Sequence, residues 1–221
     1  MQQSEALQGK TALITGGAAR LGAMTARYLH AAGAQVMIHY RRSAGPAEAL
    51  CEELLAARAD SAARVQGDLM DPQTWPKLVA ATIAFGGGLD ILINNASSYY
   101  PTPIGKATTA QWDDLLGSNA RAPFFLAQAA APELRKRQGC IVNMVDIHAE
   151  RPIADHPVYC MAKAANAMMV KALARDLAPE VRVNGIAPGA ALWPEDSLDD
   201  AEKREILRRI PMQRAAGAEQ I

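Results

Sequence analysis

The sequence predicts a doubly wound α/β domain, in which a parallel sheet carries helices on both faces. Short β-branched or otherwise apolar runs alternate along the chain with longer alanine-rich runs whose apolar residues recur at helical spacing. The strand-like runs are nearly continuously apolar, which is typical of strands covered on both faces. With 221 residues, 50% of them hydrophobic, the chain can bury one sizeable core. We therefore assign residues 1–221 to a single domain.

The six predicted strands are short apolar runs at residues 11–15, 35–40, 63–66, 89–94, 140–145 and 181–186. The predicted helices have 3.6-residue periodicity and lie at 21–32, 47–58, 71–85, 109–117, 121–137, through Tyr159 and Lys163 to about 177, and at 198–209. Gly33 favours the end of the first helix, Asp71 is expected to cap the third, and Gly86–Gly88 to stop it. Pro123 is tolerated because it stands near the start of its helix.

The pattern becomes irregular beyond Gly189. After a mixed loop and the charged helix at 198–209, residues 215–221 begin what the composition predicts to be another helix. A chain that ends inside an element leaves a sheet edge exposed. We therefore expect the domain to lack its C-terminal end, through truncation or a missing disordered segment.

Charge indicates a small-molecule partner. The 23 Lys and Arg residues balance the 23 Asp and Glu residues, so no overall charge attracts nucleic acid or an anionic membrane. No stretch approaches about 18 uninterrupted apolar residues, and the N-terminus has no cationic or apolar leader pattern. The three cysteines have no metal-type spacing and favour reduced thiols. These features predict a cytoplasmic protein without a metal site.

The spacing of Tyr159 and Lys163 predicts a proton donor. Residues four apart share one face of a helix, so the phenol would lie beside an ammonium group, which lowers the pKa of a tyrosine from about 10. Asp146 would follow the fifth strand, at the sheet edge where ligands of such folds bind. A tyrosine and a lysine at this spacing also occur by chance in solvated helices, so further matches are needed.

The turn at residues 15–22 predicts a dinucleotide site. It is glycine-rich and joins the first strand to the first helix, the position at which backbone amides can approach a pyrophosphate. Arg20 replaces a glycine of the usual pattern, and a glycine-rich turn without a ligand is the alternative. Asp68 and Leu69 follow the third strand, and Asn94–Ala96 the fourth, so both groups would line the same edge.

The second strand indicates which dinucleotide is bound. No acidic residue occurs between Glu5 and Glu48, whereas NAD sites usually place Asp or Glu near the ribose 2′-hydroxyl. The segment His39–Ser43 instead offers the guanidinium groups of Arg41 and Arg42, which suit a 2′-phosphate. NADPH is the predicted cofactor, and surface arginines without a ligand are the alternative.

These landmarks together resemble the short-chain dehydrogenase/reductase family over residues 8 to about 190, which implies a Rossmann-type domain. The matching landmarks are the turn at 15–22, Asp68, Asn94–Ala96, Asn119, Tyr159 with Lys163, and Pro188–Gly189. The resemblance implies that Tyr159 donates a proton, that Lys163 holds the ribose hydroxyls and lowers the tyrosine pKa, and that Asn119 anchors a water relay behind Lys163. The implied contacts with the cofactor NADPH or NADP+ are Gly16, Arg20, Leu21, Gly22, His39, Tyr40, Arg41, Arg42, Ser43, Asp68, Leu69, Asn95, Ala96, Ser97, Met144, Tyr159, Lys163, Pro188 and Gly189.

Two departures from the family pattern narrow the expected substrate. Asp146 stands where the family normally has serine, and a carboxylate cannot donate a hydrogen bond to a ketone oxygen. Together with Arg20 and the segments at 39–43 and 95–103, this resembles the pteridine reductase branch. That branch reduces C=N bonds of pterins and folates with NADPH and is usually tetrameric, so a homotetramer is expected. The implied pterin contacts are Arg20, Ser97, Tyr99, Asp146 and Tyr159.

Two other functions stay open at this point. A short-chain reductase could act on another substrate, such as a β-ketoacyl thioester or a quinone, although the absence of the catalytic serine argues against this. A non-catalytic protein that senses NADPH could share the fold, since fold does not determine function. The presence of Tyr159, Lys163 and Asn119 argues against it, because a sensor needs only the dinucleotide site.

Overall fold

The computed structural model describes residues 6–192 and 199–221. The strands are β1 Thr11–Ile14, β2 Gln35–Tyr40, β3 Ala62–Gln66, β4 Ile91–Asn94, β5 Cys140–Met144 and β6 Arg182–Ile186. The helices are α1 Arg20–Ala31, α2 Ala44–Ala57, α3 Thr74–Gly86, α4 Thr109–Leu116, α5 Ala122–Arg137, α6 Pro157–Asp176 and α7 Asp200–Arg209. The predicted doubly wound α/β fold is thereby confirmed.

All six strands pair in parallel in the order β3-β2-β1-β4-β5-β6. The chain builds the sheet outward from β1 in one direction through β3, then crosses back to β4 and continues in the other direction. Ligands of such sheets bind at the carboxyl ends of the strands, near this reversal. The fold therefore assigns the candidate site to the loops after β1, β2, β4 and β5.

Alternate residues of the central strands face opposite layers of helices. Ala12 and Ile14 of β1 belong to a buried cluster that includes residues of α1 and α2. Leu13 between them belongs to a second cluster, which includes residues of α3 and α5. A period of two is what a strand requires, and both halves of the period are apolar because both faces are covered.

The segment between α4 and α5 differs from the predicted pair of separate helices. Residues Gly117–Arg121 form a π-helical segment that joins α4 directly to α5. Pro123 has no N–H group, so it cannot donate to the carbonyl of Asn119 four residues earlier, and the regular helical ladder is interrupted there. The side-chain amide of Asn119 donates to the carbonyl of Leu115 within this segment, at 3.0 Å. The expected break is thus a change of helical pitch within a continuous helical run.

Two other helix predictions are corrected. Asp71 is not the cap of α3, because its carboxylate accepts from Gln73 N at 2.9 Å in the turn before the helix. The helix predicted at 215–221 is absent except for a single turn at Ala218–Gln220, since Ala216 is extended and forms a parallel bridge with Ala191. The predicted start of the last long helix at Leu198 lies outside the described residues, and α7 begins after Asp199, which caps it.

Within the described ranges, no helix combines the length and apolar character needed to cross a membrane.

A buried carboxylate fixes the amino end of the central strands. Asp90 is 2% exposed and precedes β4. It accepts hydrogen bonds from Lys10 Nζ at 2.9 Å, Thr11 N at 3.0 Å and Arg137 Nη2 at 3.1 Å. Burial alone would raise the pKa of Asp90, but the bonds from Arg137, Lys10 and Thr11 outweigh it and hold the pKa below its ordinary value.

We predict that Asp90→Asn lowers the free energy of unfolding at pH 7 by about 2 to 3 kcal/mol, because two cations and one amide lose their charged acceptor. A carboxyl group whose folded pKa is depressed stabilises the protein above its unfolded pKa of about 3.9, and the effect is lost as the pH falls through the folded value. Urea unfolding at pH 7, 5 and 3 measures the difference, which should shrink at pH 3. The exposed Asp113→Asn serves as control, and an unchanged difference at pH 3 would contradict the assignment.

Candidate active site

The phenol of Tyr159 and the carboxylate of Asp146 share a hydrogen bond of 2.6 Å, in which Tyr159 Oη donates to Oδ2. Tyr159 is 5% exposed and lies in the first turn of α6, while Asp146 lies just beyond β5. The second carboxylate oxygen accepts from His148 N at 2.9 Å and caps the short helix at Ile147–Ala149. Both oxygens of Asp146 are therefore held in place by the protein.

The expectation that Lys163 lowers the pKa of Tyr159 is wrong for this geometry. Burial raises the pKa of Tyr159 well above its ordinary value, and the hydrogen bond to the negative Asp146 raises it further. Lys163 is directed elsewhere, since its Nζ donates to the carbonyl of Met144 at 2.9 Å and lies 5.7 Å from the centroid of the tyrosine ring. Burial lowers the pKa of Lys163 to about 8, although Asp146 opposes this.

Tyr99 lies in contact with Tyr159. Its ring meets the ring of Tyr159 edge to face, with centroids 4.9 Å apart and an interplanar angle of 80°. One face of Tyr99 stacks on the imidazole of His156, at 4.9 Å and 14°. Tyr99 is 49% exposed, so the aromatic surface that the sequence predicts for a flat substrate is accessible beside the phenol. The contact with His156 was not predicted from the sequence.

The turn after β1 approaches the loop after β4 closely. Asn95 Nδ2 donates to the carbonyls of Thr15 and Gly16, at 2.9 and 3.1 Å. A side chain at Gly22 would bring its Cβ within 2.2 Å of Gly16 O, so only glycine fits there. The N-terminus of α1 beside this turn has no side-chain cap and no acidic residue in its first turn. Its amides are thus suited to an anion such as pyrophosphate.

The predicted segment His39–Ser43 is divided between the interior and the surface. His39 is 2% exposed and lies under the turn, where its Nδ1 accepts from Gly16 N at 3.2 Å and its Nε2 donates to Gly67 O at 3.1 Å. Burial lowers the pKa of His39, which agrees with a neutral ring. Tyr40 is buried against α2. Three residues of the segment are exposed, namely Arg41, Arg42 and Ser43.

The other predicted contacts lie along the same sheet edge. Arg41 pairs with Asp68 at 3.7 Å, and both side chains are about half exposed. Ser97 follows Asn95 and Ala96 after β4 and is exposed, whereas Leu69 is buried. Arg20 precedes Leu21 in α1, has a positive φ of 52°, and donates from Nη2 to Leu192 O at 3.1 Å. Pro188 and Gly189 follow β6, and Pro188 O accepts from Ile147 N at 3.3 Å.

Asn119 is buried in the π-helical segment, 1% exposed. Its Nδ2 donates to Ser98 O at 2.9 Å, and its Oδ1 has no hydrogen-bond partner among the described residues. Among the residues that the structure describes, no hydrogen bond joins Asn119 to Lys163. The carbonyl of Asn119 accepts instead from Asn166 of α6, at 2.8 Å. Asn166 was not predicted from the sequence, although it lies on the same helix face as Lys163, three residues earlier.

Two grooves border these residues. One, of about 190 Å³, lies over the carboxyl ends of the strands and is bordered by Gly16, His39, Arg41, Asp68, Ala96 and Ser97. The other, of about 420 Å³, lies beside the edge strand β6 and α6, with Asp146 at its margin. The first groove coincides with the predicted dinucleotide site, and it joins the turn after β1 to the loop that carries Tyr99.

Comparison with known proteins identifies the family. The family model for short chain dehydrogenases matches residues 10–196. The chain belongs to the short-chain dehydrogenase family. It is an oxidoreductase, and the family uses a nicotinamide cofactor. The residues present fit such a cofactor, because the Gly22 turn lets it approach α1 and the unpaired Asn119 Oδ1 leaves an acceptor behind the site.

Individual relatives catalyse different reductions. Pteridine reductase 1 of Leishmania tarentolae is 36% identical over 250 aligned positions, which cover 95% of this chain and 86% of that protein. A 3-oxoacyl-[acyl-carrier-protein] reductase of Staphylococcus aureus is 31% identical, with coverage of 93% and 84%. Versicolorin reductase 1 of Aspergillus parasiticus is 32% identical, with coverage of 86% and 72%. Family membership therefore leaves the substrate of this chain open.

The buried Lys163 should make stability depend on pH. Its folded pKa of about 8 is below the ordinary 10.5, so both folded and unfolded chains carry the proton below pH 8. Between pH 8 and 10.5 the unfolded chain binds a proton that the folded chain does not, and the free energy of unfolding rises with pH. The high pKa of Tyr159 reduces stability only above about pH 10.

We therefore predict that the free energy of unfolding of the parent, relative to Lys163→Met, rises by about 2 kcal/mol between pH 7.5 and pH 10, at up to about 1.4 kcal/mol per pH unit. Urea unfolding at intervals of half a pH unit provides the measurement. Lys171→Met makes the same replacement at an exposed position of α6 and should leave the pH dependence of the parent unchanged. A flat difference for Lys163→Met would show that Lys163 keeps its ordinary proton affinity.

Proposed function

We propose that the protein is an NADPH-dependent pteridine reductase, which reduces a C=N bond of a pterin or dihydrofolate ring. The observation that carries this proposal is the 2.6 Å hydrogen bond from Tyr159 to Asp146. A carboxylate here accepts hydrogen bonds, so it suits a substrate that presents N–H groups rather than a ketone oxygen. The 36% identity to a pteridine reductase over 95% of the chain supports the same substrate class.

NADPH is the cofactor that the exposed end of β2 favours. Arg41, Arg42 and Ser43 are exposed beside the N-terminus of α2, which has no side-chain cap and no acidic residue in its first turn. Two guanidinium groups, a hydroxyl and free helix amides together suit a 2′-phosphate dianion. Asp68 pairs with Arg41 at 3.7 Å and can keep that side chain at the edge of the groove. His39 lies under the turn after β1, where it accepts a hydrogen bond from Gly16 N.

The bound cofactor would supply a hydride to the substrate ring. The residues suited to hold its pyrophosphate, ribose and nicotinamide portions are the turn at Gly16–Gly22, Asn95–Ser97, Lys163 and Pro188–Gly189. The exposed ring of Tyr99 offers a face on which a pterin can stack, and Arg20 and Ser97 follow the paired strands β1 and β4. Asp146 would accept a hydrogen bond from an N–H group of the substrate.

The proton would come from Tyr159. A phenol whose pKa is raised by burial and by Asp146 stays protonated until the substrate nitrogen becomes basic. Lys163 would contribute by orienting α6 and by holding the ribose hydroxyls, while the Met144 carbonyl fixes its ammonium group.

A homotetramer is part of the proposal, since the exposed surface of α6 carries small residues and methionines that permit close helix packing. Light scattering that finds a monomer at micromolar concentration would contradict this oligomeric state.

Reduction of another carbonyl compound is the second candidate. The 31% and 32% identities to 3-oxoacyl-[acyl-carrier-protein] reductase and versicolorin reductase favour it. A ketone oxygen, however, requires a hydrogen-bond donor in addition to the tyrosine, and Asp146 cannot be that donor when ionised. The identity of residue 146 therefore distinguishes the two candidates.

We predict that Asp146→Ser decreases kcat/KM for dihydrobiopterin about 10- to 100-fold, because the serine can replace only part of the charge-assisted bonding. The same change restores a donor for a ketone oxygen, so turnover of a generic ketone or quinone should hold steady or increase. Steady-state NADPH oxidation measures both substrates. Tyr159→Phe is the control, and it should decrease turnover of both by a factor of about 10² to 10⁴ while the ring still packs.

Two results would contradict the link between Asp146 and a pterin substrate. One is an Asp146→Ser variant that reduces pterins as well as the parent does. The other is a parent protein that reduces ketones readily and pterins not at all. The first result would reject the role of Asp146 in substrate choice, and the second would leave a reductase of the family that acts on carbonyl compounds.

The cofactor assignment predicts a selective effect of the arginines. Arg41→Ala combined with Arg42→Ala should weaken NADPH binding at least about tenfold, since each charge-assisted contact to a phosphate is worth about 1.5 to 3 kcal/mol. NADH lacks the 2′-phosphate, so its binding should change little. Quenching of intrinsic fluorescence gives both dissociation constants. Equal weakening of both cofactors would reject the role of these arginines in cofactor choice.

A further inference from the structure

One face of α6 carries three buried polar side chains in successive turns. Tyr159, Lys163 and Asn166 are spaced four and three residues apart and are 5%, 3% and 2% exposed. Tyr159 and Lys163 belong to the proposed chemistry. Asn166 has no such role, yet a buried amide needs partners for both its oxygen and its nitrogen.

Asn166 and Lys163 attach α6 to consecutive residues of β5. Lys163 Nζ donates to the carbonyl of Met144, and Asn166 Oδ1 accepts from Asn143 Nδ2, each at 2.9 Å. Two attachments about one turn apart along the helix restrict its sliding along the strand. Asp146 lies two residues beyond Met144, so the same attachments determine how Tyr159 meets Asp146.

The side-chain nitrogen of Asn166 donates to a carbonyl of the neighbouring helical run whose usual backbone donor is missing. Pro123 lacks the N–H group that would normally donate to the carbonyl of Asn119, four residues earlier. Asn166 Nδ2 donates to that carbonyl at 2.8 Å. The π-helical segment is thereby linked to α6 at the level of the turn that follows Lys163.

The connection continues into the centre of the sheet. Asn143 accepts at its Oδ1 from Asn94 Nδ2 of β4, at 2.9 Å. Asn94 is 3% exposed and Asn143 is fully buried. A chain of neutral amides thus runs from β4 through β5 to α6 and the π-helical segment. Removal of one member leaves buried groups without partners, so the arrangement resists displacement.

We propose that Asn166 is a positioning residue, which fixes α6 against β5 and the π-helical segment and so holds the Tyr159 hydroxyl within hydrogen-bonding distance of Asp146. This role rests on the proposed function, in which Tyr159 is the proton donor. It extends that function by assigning to an amide remote from the reacting atoms the alignment of the donor pair. Misplacement of a catalytic group by about 1 Å can cost about 10²-fold in rate.

The test compares Asn166→Leu with a control variant that also removes a buried hydrogen bond, at a distant place in the protein. Leucine has a similar volume but cannot bond to Asn143 or to the Asn119 carbonyl. Ser61→Ala removes a hydroxyl that is 2% exposed and bonds to His30 at 2.6 Å, at the opposite edge of the sheet before β3. Both variants should lower the midpoint of thermal unfolding. Only Asn166→Leu should affect the chemistry.

Asn166→Leu should decrease kcat at least about tenfold, with KM for NADPH and for dihydrobiopterin within about threefold of the parent. A misaligned Tyr159 transfers its proton more slowly, so the solvent deuterium isotope effect on kcat should increase. Ser61→Ala should keep the kcat and the solvent isotope effect of the parent. A purely structural role of Asn166 would give the same kinetics as Ser61→Ala once the folded fraction is taken into account.

The outcomes separate this inference from the proposed function. If the parent reduces a ketone or thioester and no pterin, the proposed substrate fails, and the comparison is made with the substrate that is reduced. If Asn166→Leu keeps kcat within about twofold and an unchanged solvent isotope effect on that substrate, the positioning role is overturned. Should Asn166→Leu not fold, Asn166→Ser carries the same expectations, because its single hydroxyl is one bond shorter and cannot reach both partners.

Discussion

The position of α6 against the carboxyl end of β5 is the constraint on which the candidate site depends. Tyr159 comes from the helix and Asp146 from the strand end, and the two residues are 13 positions apart in sequence. Their 2.6 Å hydrogen bond forms only if the helix lies at one height along the strand. The bonds of Lys163 and Asn166 to β5 fix that height. Burial of an ammonium group is unfavourable unless it is hydrogen-bonded, and the carbonyl of Met144 supplies such a bond to Lys163.

The parallel sheet supplies the second part of the arrangement. Because every strand runs in the same direction, the loops after β1, β2, β4 and β5 meet at one edge, and residues far apart in sequence become neighbours. This is why the fold, and the gathering of the polar strand-end residues at one edge, could be predicted from periodicity and from the positions of those residues. The spacing of Tyr159 and Lys163 likewise predicted a shared helix face correctly. The strand bounds differ from the predicted ones by two residues or fewer.

The errors concern directions that spacing does not determine. A shared helix face brings Lys163 near Tyr159, but the carbonyl of Met144 decides where the ammonium group points, and that carbonyl belongs to another element. The segment at the end of β2 likewise shows that spacing does not determine which residues are exposed. His39 and Tyr40 are both buried because each face of a doubly covered strand is interior, so the exposed residues of the segment are Arg41, Arg42 and Ser43, while His39 borders the groove. Asn166 was missed because one asparagine in an alanine-rich helix resembles a solvated position.

The electrostatics of the site keep Tyr159 protonated, which is the state that a proton donor in a reduction requires. Oxidation of an alcohol or amine requires a tyrosine that has already lost its proton, and a neighbouring cation would promote that state. In this chain the tyrosine donates to a carboxylate, burial adds to the cost of the phenolate, and the buried lysine loses its proton more readily than usual. All three effects retain the proton on Tyr159. A donor of this kind acts when the substrate atom becomes strongly basic, as a ring nitrogen does after hydride addition to the adjacent carbon. Under the proposed function, Asp146 therefore keeps the proton donor protonated and accepts hydrogen bonds from N–H groups of the substrate.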